Sequence, residues 1–296
     1  MWALLTISAI IFQIIRNLEQ KKLHQNLDVF TTSWSRFILP FPFAIIVVAS
    51  TFNYYDYEFF HYILINALFQ ILGNVFLIQT IQTKNFSVGV AFSKTEIIQA
   101  LILGFLLYNL HFNFNEILAI FLAFIGIILL AKIDFKNLKD FTKSLKNIAS
   151  LYGILCGFCF GITSYNIQFA SNYLIKDGFN SIKASTLVLL YTIFFQNIFF
   201  IILKSYQKKL FCDVKKLFLV ENYRRFLLTS LSSFIGSICW YSAYAIGNVM
   251  HVKTVGQLEI IASMLVSKFY LKEKNSIKEN LGIIFIIIAI LLIILL

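Results

Sequence analysis

The stretch ILAIFLAFIGIILLA, from Ile117 to Ala131, and the closing run IIFIIIAILLIILL, from Ile283 to Leu296, decide the fold. Neither carries a charge, and neither alternates polar with apolar residues. A helix needs about 20 mostly apolar residues to cross a bilayer, and both runs lie within apolar segments of nearly that length. Backbone N–H and C=O groups find no water in hydrocarbon, so a spanning segment is a helix or part of a closed barrel. Barrel strands would alternate in polarity over about 10 residues. These runs predict helices.

The rest of the chain follows the same pattern. Of its 296 residues, 59% are hydrophobic and 13% charged, whereas a soluble domain is about half apolar and about one quarter charged. Mean hydropathy is +0.81. Hydropathy places ten candidate spans at residues 2–17, 29–50, 61–82, 87–108, 115–132, 149–171, 183–204, 225–246, 249–270 and 277–296. The reading is an all-α polytopic membrane protein with ten transmembrane helices. The first span opens at Trp2 with no basic region before it and no small-residue cleavage site, so it reads as helix one rather than a signal peptide. The longest connections, Lys132 to Ile148 and Ser205 to Arg224, are basic and partly amphipathic.

A formal net charge of +11 invites a nucleic-acid reading, because Lys and Arg neutralise phosphates. Here the cations sit in short loops beside the spans, where anionic headgroups and the positive-inside rule account for them. Nucleic acid is therefore not an expected partner; the lipid bilayer is. Twenty of the 25 Lys and Arg residues fall in odd-numbered loops or the helix ends flanking them. Even-numbered loops hold only Lys176, Lys183 and Lys253, at their margins with the spans, while Arg36 and Lys94 fall well inside spans. This places the odd-numbered loops in the cytoplasm and both termini outside. Of the four cysteines, Cys156 and Cys159 form a C-x-x-C in an apolar helix, without the second ligand pair of a structural zinc site. They read as packing residues, and no metal or cofactor is expected.

Shifting the sequence by 163 residues superimposes Gly73 on Gly236, Glu96 on Glu259, Glu116 on Glu279 and Leu118 on Leu281 without a gap. Spans three to five thus match spans eight to ten, while spans one and two match six and seven only weakly and at a different shift. The expected organisation is a first five-helix repeat at 1–132, a basic linker at 133–148 and a second repeat at 149–296. Five is odd, so the second copy would enter the membrane inverted. Inverted repeats are common in secondary transporters, with substrate near the midplane at the repeat interface.

Charged groups at bilayer depth cost about 2.5 to 3.5 kcal/mol each on insertion scales. Glu96 and Glu259 lie near the middle of spans four and nine, at equivalent repeat positions, and are the leading candidates for substrate contact or coupling. A structural role is the bland alternative. Lys94, two residues from Glu96, points to a different helix face, so each needs its own partner. Arg36 either snorkels to the interface or pairs inside. Asn66, Gln70 and Asn74 recur every four residues in span three, as cavity lining or interhelical glue. Span eight carries Ser230, Ser233, Ser237, Trp240, Tyr241 and Tyr244 on one stripe; Trp240 and Tyr244 alternatively form an interfacial belt. Span nine carries Val252, Gly256, Glu259, Ser263 and Ser267, either cavity lining or tight packing. Gln257 completes the candidate set.

The pattern resembles the drug/metabolite transporter superfamily, specifically its EamA-type ten-helix members, over essentially the whole chain. The residues that carry the resemblance are Arg16, Asn17 and Gln20 in helix one; Arg36, Phe37, Pro40 and Pro42 in helix two; and Lys94-Thr95-Glu96 with Gln99 in helix four. Trp240-Tyr241, Gly256 with Glu259, and Glu273 and Glu279 complete the set. The resemblance implies two inverted five-helix repeats, a central cavity and alternating access. Proton coupling and exchange are both common in the superfamily. Better-studied relatives are usually drawn with both termini cytoplasmic, opposite to the charge count here.

The expected function is secondary transport of a small polar metabolite, amino-acid-like or related, in a bacterial inner membrane. An internally duplicated chain can work as a monomer. A membrane-embedded enzyme is the first competing class. Against it, His24, His61, His111 and His251 are scattered over loops and span ends, and no H-E-x-x-H, G-x-S-x-G or P-loop is present. A non-transporting subunit or lipid-handling protein is the second.

Overall fold

The computed structural model describes residues 1–82, 93–130, 148–262 and 277–295, and among them there is no strand. Helices α1 (Trp2–Leu23), α4 (Tyr57–Gln82), α7 (Ile148–Lys176), α8 (Ser181–Tyr206) and α10 (Val220–Ile246) are the long ones. All five are long and apolar enough to cross a membrane. Shorter apolar helices lie at α3 (Phe41–Thr51), α5 (Glu96–Tyr108), α6 (Phe114–Leu130) and α12 (Ile277–Ile294). The remaining pieces are α2 (Val29–Trp34), α9 (Leu210–Leu217) and α11 (Val249–Gly256). The loop-five region and Lys84, with Ser263, Ser267, Glu273 and the side chain of Glu279, lie outside the described residues.

Local sequence explains the helix ends. Asp28, Asn180 and Asn248 cap α2, α8 and α11, their side-chain oxygens accepting from backbone amides in the first turn. Glu116 reaches back to the Asn113 amide at 2.9 Å ahead of α6. Asn109 ends α5 in the left-handed conformation, at φ 50°. The predicted second span, 29–50, is not one helix. It breaks into α2 and α3, with turns from Ser35 to Pro40 and Pro42 in the first turn of α3. Proline lacks the N–H that would continue the ladder.

The surface shows where the helices sit. On α1, Leu4, Ile7, Ile11, Ile15 and Leu18 are exposed at helical spacing, while Thr6, Ala9, Arg16 and Gln20 face inward. On α12 the outward residues include Ile284, Ile287, Ile288 and Leu291. A soluble monomer does not present such continuous apolar faces to water; lipid covers them, and the chain is an integral membrane protein.

The most extensive pairings join helices from opposite halves of the sequence: α1 with α10, α4 with α7, and α6 with α12. Gly73 and Gly236, the pair matched by the 163-residue shift, stand at corresponding crossings. A Cβ at Gly73 would lie 3.0 Å from a Phe160 ring carbon of α7, and one at Gly236 would lie 3.1 Å from Phe12 Cβ of α1. At the α6–α12 crossing a Cβ on Gly126 would stand 2.7 Å from Ile286 Cγ1 and 2.8 Å from the Gly282 carbonyl oxygen. Close backbone approach at small residues is how membrane helices gain packing energy, since lipid removes the hydrophobic drive.

One polar cluster ties the halves together at a helix end. Lys204, 1% exposed on α8, donates to the two carboxylate oxygens of Asp28 at 3.1 and 3.0 Å and to Asp213 Oδ2 at 2.7 Å. Thr31 Oγ1 lies 2.5 Å from Asp28 Oδ2 and 3.1 Å from Asp213 Oδ2. Burial pushes the Asp28 carboxyl up, but hydrogen bonds from the Thr31 hydroxyl and amide and from Lys204 outweigh it and hold the group below the usual carboxylate range.

Two predictions follow from this packing. Gly126→Leu should destabilise the protein by about 1–3 kcal/mol through overpacking, whereas Phe121→Leu on the lipid-facing side of the same helix should leave the melting temperature unchanged. Equal melting temperatures for the two variants would refute the tight crossing. Because Asp28 has a depressed folded pKa, its contribution is present above the unfolded value of about 3.9 and is lost as acid carries the pH through the folded value. Asp28→Asn should therefore flatten the loss of thermal stability below about pH 4; an unaltered acid limb would exclude this linkage.

Candidate functional site

Two helix breaks build the site. Ser93 is helical, Lys94 and Thr95 form a turn, and α5 begins at Glu96; the amides of Ile98 and Gln99 both bond to the Thr95 carbonyl, at 3.0 and 3.1 Å. In the second half α11 stops at Gly256, Gln257 is a turn, and residues 258–262 are helical again. There the Gln257 amide bonds to the Thr254 carbonyl at 3.1 Å and the Ile260 amide to the Gln257 carbonyl at 3.0 Å, both three residues back. The 163-residue shift places Lys94 on Gln257 and Glu96 on Glu259. The breaks thus occupy equivalent positions; predicted span nine is interrupted at Gln257, while residues 87–92 of predicted span four lie outside the described residues. Gly157 of α7 admits the first break: a Cβ on it would stand 3.0 Å from the Ser93 carbonyl oxygen and 3.1 Å from the Glu96 amide.

Charge crosses between the two breaks in both directions. Lys94 forms an ion pair with Glu259. Lys253, on α11, lies 3.9 Å from Glu96 Oε1 and donates to the Phe160 carbonyl at 3.3 Å. Lys94 and Glu96 point different ways, as their spacing requires, and each meets a residue from the other half. Lys253 was assigned by charge counting to an even-numbered loop. It is instead a helical residue only 2% exposed, held inside by its carbonyl and carboxylate partners. Arg16, counted with loop one, is likewise inside α1 and 6% exposed.

Among the described residues Glu259 has three donors. Besides Lys94, Gln13 Nε2 lies 2.6 Å from Oε2 and Asn17 Nδ2 lies 3.3 Å from Oε1. Trp240 Nε1 donates to Gln13 Oε1 at 2.8 Å, and Trp240 stacks on Tyr244 with ring centroids 5.8 Å apart. Trp240 also lies against Gly256, whose Cβ would be 3.1 Å from its ring. Trp240 is thereby part of the interior network rather than an interfacial belt, and Tyr244 is buried beside it. The Glu96 side chain is 19% exposed and that of Glu259 is 8% exposed, so Glu96 is the more open of the two carboxylates.

Further hydrogen bonds gather around Arg36 and along α4. Arg36, buried at the break in the second span, donates from Nε to Ser233 Oγ at 3.0 Å and from Nη1 to Asn74 Oδ1 at 2.8 Å. It does not snorkel, because the chain turns inward at this point and presents Ser233 and Asn74 as acceptors. Asn66 donates to Thr192 and Tyr241 hydroxyls at 3.0 and 2.9 Å, and Gln196 donates to Gln70 Oε1 at 2.6 Å. Gln257 donates to the Lys253 carbonyl at 3.2 Å, and its buried Oε1 has no protein partner. Near the α11 start, His251 Nε2 lies 2.8 Å from Glu116 Oε1. Cys156 and Cys159 are buried and free. Among the described residues no group of His, Cys, Asp and Glu is placed to hold a metal ion.

The site therefore joins Lys94, Glu259 and Trp240 in one network, with Glu96 beside it, Arg36 with Asn74 in a second, and Gln70 with Tyr241 in a third. Sequence reading had no place in the charged network for Gln13 and Lys253, and reached Arg16 and Asn17 only through resemblance. A signal existed: Thr6, Gln13, Arg16, Asn17 and Gln20 recur at helical spacing along an otherwise apolar α1.

Fold and site together define an integral membrane protein of packed helices with a two-sided interior charge cluster. The model of the EamA-like transporter family matches residues 1–132 and 147–295. The chain belongs to that family, a branch of the drug/metabolite transporter superfamily. No curated protein matches the chain. Among 27 matching chains of solved structures, one described only as "Crystal structure of protein" has a TM-score of 0.67 at 11% identity, covering 99% of this chain and 96% of its own. That likeness concerns the fold.

Breaking the buried pair should be costly. Lys94→Met and Glu259→Leu should each destabilise by about 3–5 kcal/mol, because each strands the other charge, and the double variant should lose clearly less than the sum. Additive losses in detergent unfolding would mean the two residues do not interact.

Proposed function

We propose that the chain is a secondary transporter of a small polar metabolite, amino-acid-like or related, working by alternating access. In this reading residues 1–132 and 149–296 are inverted five-helix repeats joined by a basic linker, with ten transmembrane helices in all. The observation that carries it is the reciprocal crossing of charge between equivalent helix breaks. Discontinuous membrane helices leave backbone groups free at mid-membrane, where transporters bind solutes. Support for the repeat comes from the pairings, which are preserved when the halves are exchanged: α1 with α10 becomes α7 with α4, and α6 with α12 becomes itself.

Within this site Glu259 is a fixed anchor, since Lys94, Gln13 and Asn17 already hold it. Glu96, more open and farther from its cation, is the carboxylate that responds to substrate or to a coupling proton. The protein resides in a bacterial inner membrane with odd-numbered loops in the cytoplasm, which the residual charge asymmetry supports after Arg16 and Lys253 are moved inside. It acts as a transporter and not as an enzyme, and needs no partner beyond lipid and solute.

Proteoliposomes loaded with labelled amino acids test the reading. Flux should depend on the protein and fall about tenfold or more in Glu96→Gln, the loss of one interaction made in the transport cycle. Wild-type flux in both Glu96→Gln and Glu259→Gln would remove these carboxylates from the mechanism. Absence of solute flux in the intact protein would return it to the subunit or lipid-handling classes.

A further inference from the structure

Four cations lie in the interior at the level of the breaks: Arg16, Arg36, Lys94 and Lys253 are all within helices or their breaks and largely buried. Two carboxylates, Glu96 and Glu259, face them. Both carboxylates are matched to lysines. Neither arginine has a carboxylate within ion-pair distance among the described residues.

The arginines are also only partly used. A guanidinium offers five N–H donors. Arg16 directs Nε and Nη2 to one acceptor, Asn17 Oδ1, at 3.2 and 2.9 Å. Arg36 uses Nε and Nη1 on Ser233 and Asn74, with the Phe37 ring 5.0 Å from its guanidinium carbon. Nη1 of Arg16 and Nη2 of Arg36 have no protein acceptor among the described residues. Helices α1 and α10 run antiparallel, with Trp2 at Gly247, Phe12 at Gly236 and the Lys22 carbonyl at Arg225, which sets Arg16 at the level of Ser233, the hydroxyl that Arg36 bonds. Two like charges in a low-dielectric interior are unfavourable unless an anion joins them.

We propose that Arg16 and Arg36 form an oxyanion subsite, and that the ligand of this protein carries a carboxylate or phosphate group which docks between them. Guanidinium geometry suits both, through paired N–H donors onto two oxygens. The subsite rests on the transport reading only in naming the ligand a transported solute. An excess of two positive charges narrows the solute to an organic or phosphorylated anion. The purely structural alternative has Arg36 capping the broken second span and nothing more.

The test is the melting temperature of the purified full chain in detergent, at matched ionic strength, with succinate, inorganic phosphate, glucose or choline. A ligand that binds the folded state raises it. Succinate or phosphate should give a rise that glucose and choline do not, the successful anion naming the source of the oxygens. Arg16→Gln and Arg36→Gln should each weaken that response by about tenfold or more, and Arg36→Lys should restore only part of it. A structural role would lower the ligand-free melting temperature and leave the anion-dependent rise intact. No rise with either anion, an equal rise with glucose or choline, or an undiminished rise in both Gln variants overturns the subsite. An anion that binds through the arginines but does not enter vesicles keeps the subsite and removes the transport reading. Uptake of a neutral or cationic solute without any anion-dependent rise does the reverse.

Discussion

A charge placed in hydrocarbon must find an opposite charge or a set of hydrogen-bonding partners, and this protein's interior is arranged around that constraint. Lys94 meets Glu259 and Lys253 faces Glu96, each pair drawing one residue from each half of the chain. The cations and anions are brought together at the turns Lys94-Thr95 and Gln257, which the 163-residue shift places at matching positions. Gly157, Gly256 and the Trp240 ring shape the space around the interruptions. The polar residues of α1, α4 and α10 then complete the hydrogen bonding that the ion pairs leave open.

Helix packing serves the same arrangement. Lipid supplies no hydrophobic drive for one apolar helix to leave it for another, so close contact has to come from shape and from small residues. Gly73, Gly126 and Gly236 provide it at the crossings between halves. Between their ends the outward faces of α1, α6 and α12 are apolar, which confines polar chemistry to the interior and the helix ends. Lys204, Asp28 and Asp213 repeat the logic at a helix end, where a cation sealed from water is held by one enclosed and one half-exposed carboxylate.

Much of the fold was legible because the bilayer writes so plain a rule into sequence. Long uncharged runs such as 117–131 and 283–296 admit one structure. The crossings between the halves left a trace at Gly73 and Gly236, because close helix contact tolerates so few residue types. The helix breaks were not legible. Lys94-Thr95 contains neither proline nor glycine, and hydropathy averages over the interruption. The break at Arg36 had a proline signal at Pro40 and Pro42, but apolar residues on both sides masked it. In the site, the carboxylates stood out because their burial is expensive, while Gln13 and Asn17 are ordinary residues that matter only through what they face. Lys253 was misplaced because charge counting treats a cation near a predicted span end as a loop residue, and only tertiary contacts reveal that its helix carries it inward.

The reciprocal pairing has a consequence for how such a chain can change over generations. Two halves of a chain ordinarily drift independently, each free to lose what the other retains. Here Lys94, Glu96, Lys253 and Glu259 are each answered by a residue from the other half of the chain, so a neutralising substitution in one half leaves a stranded ion in the other. The two halves are bound to vary in concert at these four positions while diverging elsewhere, and separating them would leave each with interior charges deprived of their partners.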